Sequence, residues 1–148
     1  MHQLVTIRGV LVATDGSANA RRAEAVASAI AASCKCKLVV FTSSRGLLSD
    51  DLRRLAHLEG DVSAARRVLI EQILESAAER AKQAGVSDVR AISRHGDPAA
   101  TIVSTAEAEG TDLIVMGRRG IGVLSELLVG SVSRTVVNKA HCPVTVVP

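Results

Sequence analysis

The chain has 148 residues, of which 47% are hydrophobic, and this length and composition predict one domain spanning residues 1–148. Phe41 is the only aromatic residue, and 18 basic against 15 acidic residues leave a formal charge of +3. The lack of aromatic platforms for base stacking and of a large basic excess argues against a nucleic-acid partner, whereas a small anionic ligand is compatible with this charge.

The N-terminal residues do not resemble a secretory signal. Residues 1–9 lack a charged start followed by a long apolar stretch and a small-residue cleavage site. No apolar run approaches the roughly 20 residues that span a bilayer. We therefore expect a soluble, cytoplasmic protein with no membrane partner.

The first predicted strand, residues 10–14, stops at Asp15 and Gly16, where glycine permits a sharp turn. Ser17 can cap the helix that follows, from Ala18 to about Ser33. One apolar stripe runs along this helix, formed by Ala23, Val26, Ala27, Ile30 and Ala31. The many alanines allow the helix to lie close to the sheet.

Residues 37–42 form a second apolar run and predict a second buried strand. Residues 47–60 mix charges with scattered leucines, and a solvated connector is favoured there over a lid that covers a ligand. A long helix is predicted after Ser63 and ends at Gly85. Its helical spacing is carried by Leu69, Ile73, Ala77 and Ala81.

A weaker third strand is predicted at Val89–Arg94, where apolar and basic side chains alternate as on an outer strand. Asp97 followed by Pro98 is a strong helix start, with the aspartate as N-cap and the proline at the first helical position. We interpret Asp97 as a structural cap rather than an acid catalyst. The buried face of this helix consists of Ile102, Val103 and Ala106, and the helix ends at Gly110.

The most informative stretch begins at Met116, where a fourth apolar strand ends. Gly117 and Gly120 are spaced so that the backbone between them can point successive N–H groups into one concavity. Gly130 and Ser131 follow after nine further residues, and Ser131 is the predicted N-cap of a last helix that reaches about Ala140.

Val132, Val136 and Val137 have a spacing that suits the buried face of this last helix. A helix start offers unpaired N–H groups and partial positive charge, so the four residues Gly117, Gly120, Gly130 and Ser131 could hold a polyphosphate by main chain. The alternative is a flexible connection that ends in a helix cap.

Residues 143–148 predict a fifth strand, and its terminal prolines suit an edge position. Five strands joined by helical crossovers imply an α/β fold with three layers, a parallel sheet and right-handed connections.

Three cysteines, Cys34, Cys36 and Cys142, are an odd number for a disulfide framework. Together with His141 they could bind a soft metal, but their spacing is not that of a typical zinc site. We predict no metal site. No residue is assigned a catalytic role.

The pattern Gly-x2-Gly-x9-Gly-Ser is opened by Ile-Val-Met-Gly and closed by Cys-Pro-Val-Thr-Val-Val. Together with Val-Ala-Thr-Asp-Gly-Ser and His-Gly-Asp-Pro earlier in the chain, it resembles the ATP-binding signature of the universal stress protein family. The resemblance covers all but about residues 43–61. It implies a Rossmann-like sheet of the adenine nucleotide alpha hydrolase type, with strand order 3-2-1-4-5, and a homodimer formed through the last strand, Val144–Val147.

The resemblance also assigns site residues. Asp15 would meet the ribose or adenine side of ATP, with main-chain contacts from Ala13 and Thr14. The backbone of Thr42 would meet adenine, where the family often has an aliphatic residue, and Met116 and Gly117 would flank the nucleoside. The phosphates would be surrounded by Arg119, Gly120, Gly130, Ser131 and Val132. Arg118 and Arg119 are either phosphate contacts or a solvated basic pair.

The implied ligand is ATP, with Mg²⁺. The Walker pattern Gly-x4-Gly-Lys-Ser/Thr is absent, and Asp15 is the only acidic residue placed convincingly in the crevice. We therefore predict a nucleotide-binding regulatory or stress-response protein with at most slow hydrolysis. Two alternatives are a dimerisation or scaffold module that needs no nucleotide and a magnesium-dependent adenine-nucleotide hydrolase.

Overall fold

The computed structural model describes residues 4–46, 57, 62–118 and 130–148. Strands and helices alternate along most of this chain. A one-turn 3₁₀ helix, Ser44–Gly46, follows the second strand. The other elements are β1 Gly9–Ala13, α1 Ala18–Cys34, β2 Lys37–Ser43, α2 Val62–Gln83, β3 Val89–Arg94, α3 Pro98–Glu109, β4 Leu113–Gly117, α4 Ser131–Lys139 and β5 Val144–Val147.

All strand pairs are parallel, and the strand order is β3-β2-β1-β4-β5, which confirms the predicted fold class. β1 lies at the centre, where Ala13 pairs with Phe41 of β2 and Val12 pairs with Val115 of β4. β3 and β5 are the edges of the sheet. The alternating pattern of β3 and the prolines around β5 therefore predicted edge positions correctly.

The core has two halves, one on each face of the sheet. Alternate residues of each central strand contribute to opposite halves: Val10 and Val12 of β1 face α1 and α2, whereas Leu11 faces α3 and α4. Both faces of a sheet covered by helices must be apolar, and this is why the central strands are unbroken apolar runs. Phe41, the one aromatic residue, is fully buried in the half that α3 and α4 cover.

Local capping explains where α1 and α3 begin and end. The Ser17 hydroxyl accepts a hydrogen bond from the Ala20 N–H at 3.2 Å, and the Asp97 carboxylate accepts one from the Ala100 N–H at 2.9 Å. Gly110 ends α3 with a φ of 64°, in the left-handed region that glycine tolerates. The predicted caps at these three positions are confirmed.

The start of α4 differs from the prediction. Gly130 is the N-cap, without a side-chain capping bond, and Ser131 is the first helical residue. Val136 is fully buried and Val132 packs on the core, but Val137 is 50% exposed. Successive residues of a helix are rotated by about 100°, so Val137 points away from the face that Val136 buries.

The predicted connector at residues 47–60 lies, apart from residue 57, outside the described part of the chain. In the part that is described, no helix combines the length and apolar character needed to cross a membrane.

Replacing Asp97 by alanine should lower the free energy of unfolding by about 1 kcal/mol, because the Ala100 N–H loses its acceptor. Asp97→Asn retains an oxygen that can cap the helix and serves as the matched control. Urea unfolding of both variants checks this expectation. Equal stability of Asp97→Ala and wild type would show that the cap is dispensable.

Candidate functional site

The carboxyl ends of β1 and β4 lie side by side at the centre of the sheet. Chain connections leave these two strands toward opposite sides, which makes the gap between them the point where strand order reverses. Ligands of open α/β sheets bind at this point. The structure thus brings Ala13, Thr14 and Asp15 to the same end of the sheet as Met116 and Gly117, at the carboxyl ends of the strands.

Thr42 joins this group from β2. The Thr14 N–H donates to the Phe41 carbonyl at 2.8 Å, so Thr14 continues the pairing of β1 with β2 by one residue beyond the end of β1. This register places Thr14 next to Thr42 on the face that α1 and α2 cover. Both threonines are buried, with exposures of 5% and 1%.

The turn between β1 and α1 is fixed by side-chain oxygens. The Ser17 N–H donates to Asp15 Oδ1 at 2.9 Å, and the Gly16 N–H donates to Thr14 Oγ1 at 3.2 Å. Gly16 has a φ of 80°, and a Cβ at this position would lie 3.3 Å from Ile73 Cγ1 of α2. The turn therefore needs glycine for its backbone conformation as well as for its contact with α2.

The connection from β4 to α4 is held where its described ends meet. The Arg118 N–H donates to the Val147 carbonyl at 2.7 Å, and the Gly130 N–H donates to the Arg118 carbonyl at 2.8 Å. The Ser133 hydroxyl donates to the same Arg118 carbonyl at 2.9 Å. Gly130 is buried at this junction. These bonds place the N-terminus of α4 beside the carboxyl end of β4.

Two parts of the predicted glycine-rich site turn out differently. Gly117 is the last residue of β4 and pairs with Val147, so it belongs to the strand rather than to a turn. Ser131 is exposed and does not cap α4 with its side chain. Arg119 and Gly120 lie outside the described residues. The remaining contribution of α4 is its first turn, whose N–H groups have no acceptor within the helix and carry partial positive charge.

Two buried polar atoms at the carboxyl ends of the strands have no hydrogen-bond partner among the described residues. They are Thr42 Oγ1 on β2 and Arg118 Nε directly after β4. A third such atom, Arg66 Nε, belongs to the N-terminal part of α2, which begins on the same side of the sheet. A buried polar group without a partner is costly, so each of these atoms is suited to bind a ligand. Nothing in the sequence pattern distinguished Arg66 from the other basic residues of its helix.

An ion pair lies directly behind the β1–α1 turn, between the buried Glu24 carboxylate and Arg80, whose side chain is 38% exposed. Thr14 Oγ1 donates to Glu24 Oε1 at 2.6 Å, and Arg80 donates to Glu24 Oε2 from Nε at 2.9 Å and from Nη2 at 2.6 Å. Glu24 is only 4% exposed. It follows Ala23 on the buried stripe of α1, and helical periodicity alone did not indicate that a charge would be buried there.

The cysteines lie at the opposite end of the sheet, near the amino ends of β2 and β5. All three are free thiols, and no cluster of three or more potential metal ligands occurs among the described residues. Burial, followed by the nearby Cys34 and Asp112, raises the pKa of the Cys36 thiol. Burial, followed by Asp112, raises the pKa of Cys142. Both shifts favour the protonated thiols of Cys36 and Cys142, and all three cysteines lie away from the β1–β4 crevice.

Comparisons with known proteins agree on one family. Residues 6–148 match the model of the universal stress protein family. A Thermus aquaticus universal stress protein, described as lying in the QAH/OAS sulfhydrylase 3′ region, is 37% identical over 138 residues, which cover 93% of this chain and 96% of that protein. A putative universal stress protein of Staphylococcus haemolyticus is 32% identical over 147 residues, covering 97% of this chain and 86% of the other.

Solved structures give the same result. A universal stress protein in complex with cAMP is 32% identical, with a TM-score of 0.74, and the match covers 97% of this chain and 99% of that chain. A universal stress protein family member from Burkholderia pseudomallei is 28% identical, with a TM-score of 0.61 and 95% coverage of both chains.

The two neighbouring threonines should respond oppositely to removal of the hydroxyl. Thr42→Val should raise the free energy of unfolding by about 1 kcal/mol, because a buried hydroxyl without a partner is replaced by a methyl group of similar shape. Thr14→Val should lower it by about 1 kcal/mol, because two hydrogen bonds are lost. Chemical denaturation of the ligand-free variants decides this, and a destabilised Thr42→Val would contradict the assignment of an unsatisfied hydroxyl.

Proposed function

This chain belongs to the universal stress protein family, and from that premise we propose that it binds an adenine nucleotide in the crevice between β1 and β4. Its role would be that of a regulatory nucleotide-binding protein, with ATP and Mg²⁺ as the physiological ligand and at most slow hydrolysis. The observation that carries this proposal is the convergence of the Asp15 turn with the Arg118–Gly130 junction at the point where strand order reverses.

The geometry supports a division of the crevice into two ends. Asp15 on the β1 side would accept hydrogen bonds from the ribose hydroxyls, with Ala13 and Thr14 supplying main-chain contacts. The backbone of Thr42 would meet the base. In support of an adenine nucleotide, the related structure with 32% identity was solved with cAMP.

The β4 side would hold the phosphates. Its main-chain donors would come from the first turn of α4, around Gly130, Ser131 and Val132, and from Arg119 and Gly120. Met116 and Gly117 would flank the nucleoside. Arg118 Nε supports a phosphate role for that side chain, because a buried guanidinium nitrogen without a partner is satisfied by an anion.

The carboxylates near the crevice support binding more than turnover. Asp15 Oδ1 accepts from the Ser17 N–H, and Glu24 is bonded to Thr14 and Arg80. Phosphoryl transfer requires a group that positions or activates the attacking nucleophile as well as groups that neutralise charge. Mg²⁺ would arrive with ATP and neutralise phosphate charge, with Asp15 as the neighbouring carboxylate on the protein.

The experiment that tests this proposal is extraction and identification of nucleotide from freshly purified protein. The emptied protein is then titrated calorimetrically with ATP, AMP and cyclic AMP, with and without Mg²⁺. Gly130→Val should abolish binding, because it adds a branched side chain at the buried junction that leads into α4. The control is Gly9→Ala at the amino end of β1, away from the crevice. An added Cβ there would lie 3.5 Å from its nearest neighbours, which is ordinary van der Waals contact.

Binding by wild type and Gly9→Ala, its loss in a Gly130→Val variant that still folds, and slow ADP release would together support a nucleotide-dependent regulator. Failure of the emptied wild-type protein to bind any of the three nucleotides would refute the proposal and favour a scaffold module. Rapid magnesium-dependent ADP release would favour the hydrolase.

We further propose that two copies of the chain pair through β5. Pro143 accepts a hydrogen bond from Ile114 of β4, and Val147 accepts one from Arg118, directly after β4. Peptide groups alternate along a strand, so the N–H and C=O groups of Val144 and Val146 point toward the open edge. An open edge of this kind is a surface on which a second strand can pair.

Val146→Pro should convert the dimer to a monomer, because it removes an outward N–H while leaving the bonds to β4 in place. Val146→Ala retains the N–H and is the matched control. Sedimentation velocity measures the association state. A wild-type monomer, or a Val146→Pro dimer as stable as wild type, would contradict pairing through this edge.

A further inference from the structure

We propose that Glu24 and Arg80 are positioning residues of the ligand site, acting through the Thr14 hydroxyl on the turn that carries Asp15. This inference rests on the proposed nucleotide-binding function. The chain of contacts runs from Arg80 on α2 through Glu24 on α1 to Thr14, and from there to the Gly16 N–H.

The direction of each hydrogen bond in this chain is determined by chemistry. The Arg80 guanidinium can only donate and the Glu24 carboxylate can only accept. Thr14 Oγ1 lies 2.6 Å from Glu24 Oε1 and must therefore donate its single hydroxyl proton to the carboxylate. A lone pair of the same oxygen is then left to accept from the Gly16 N–H at 3.2 Å. Glu24 thereby sets the orientation of the hydroxyl that holds the turn.

The turn is held on two sides. The Thr14 hydroxyl accepts a hydrogen bond from the Gly16 N–H. Ile73 of α2 lies close to the position that a Gly16 side chain would occupy. Asp15 lies between these restraints, with its Oδ1 accepting from the Ser17 N–H. A carboxylate whose position is set before binding loses less entropy when it meets a ligand.

Stability alone does not account for an ion pair at this position. Glu24 is 4% exposed, and the other buried positions of this helix are alanines apart from Ser28. Replacing an ion pair whose carboxylate is buried by apolar residues of similar size is often neutral or stabilising, because the desolvation cost of that carboxylate is removed with the pair. A positioning role accounts for the pair because it reaches the site turn through one further hydrogen bond.

The test is the double variant Glu24→Leu/Arg80→Leu, which removes both charges together and leaves neither unpaired. Its melting temperature should fall no further than that of Thr14→Val, because both variants lose the hydrogen bond between Thr14 and Glu24. Its affinity for the nucleotide identified by extraction should fall roughly tenfold, as expected for the loss of one hydrogen bond that orders the site. Calorimetric titration and thermal unfolding give the two readouts.

Epistasis separates this role from a general structural one. In a Thr14→Val background the same double substitution should cause no further loss of affinity, because the connection to the turn is already cut. Thr14→Ser retains the hydroxyl and should bind the nucleotide more tightly than Thr14→Val does. This pair, Thr14→Val against Thr14→Ser, also tests the proposal if the double variant does not fold.

Unchanged affinity in a folded double variant, or an additive loss in the Thr14→Val background, would overturn the inference. Exchange of the Gly16 amide proton, followed by NMR in the ligand-free protein, provides a readout without nucleotide. It should become faster in the double variant. If wild type binds no nucleotide but Gly16 exchange accelerates as expected, the proposed function fails while the positioning contact stands; if exchange is unchanged, the positioning contact itself fails.

Discussion

The pairing of β1 with two parallel neighbours is the constraint on which the rest of the structure depends. Val10, Leu11 and Val12 are fully buried, with β2 on one side, β4 on the other and helices over both faces. Because β2 and β4 flank the same strand, the chain must leave β1 and β4 toward opposite sides. The crevice at their carboxyl ends is therefore a consequence of strand order. The polar residues that follow β1 and β4 lie side by side at this crevice.

Much of this fold could be predicted from the sequence because its signals are local. Apolar runs marked the central strands, alternation marked β3 as an edge, and Ser17, Asp97 and Gly110 acted as caps where their chemistry indicated. The error at α4 has a local cause too. Gly130 and Ser131 both favour a helix start, and the sequence alone could not show that the Gly130 N–H is held by the Arg118 carbonyl, which places the boundary one residue earlier.

The candidate site was predictable only in part. The ends of strands could be located, so Asp15, Thr42 and Gly117 were placed correctly at the carboxyl ends of their strands. The partners of these residues could not be, because they come from distant elements. Glu24 and Arg80 are 56 positions apart, and no periodicity links a residue on the stripe of α1 with one near the end of α2. The same holds for the Thr42 hydroxyl, whose lack of a partner is visible only once the surrounding helices are in place.

The core beneath helices α1 and α2 is apolar, and polar groups border it near the β1–α1 turn. With a single aromatic residue, the layer between the sheet and helices α1 and α2 is built largely from alanine and valine, and the helices can approach the strands closely. Glu24 and Arg80 border this layer and form hydrogen bonds that continue through Thr14 into the turn. The apolar layer thus ends in polar contacts, and the proposed ligand site lies next to them.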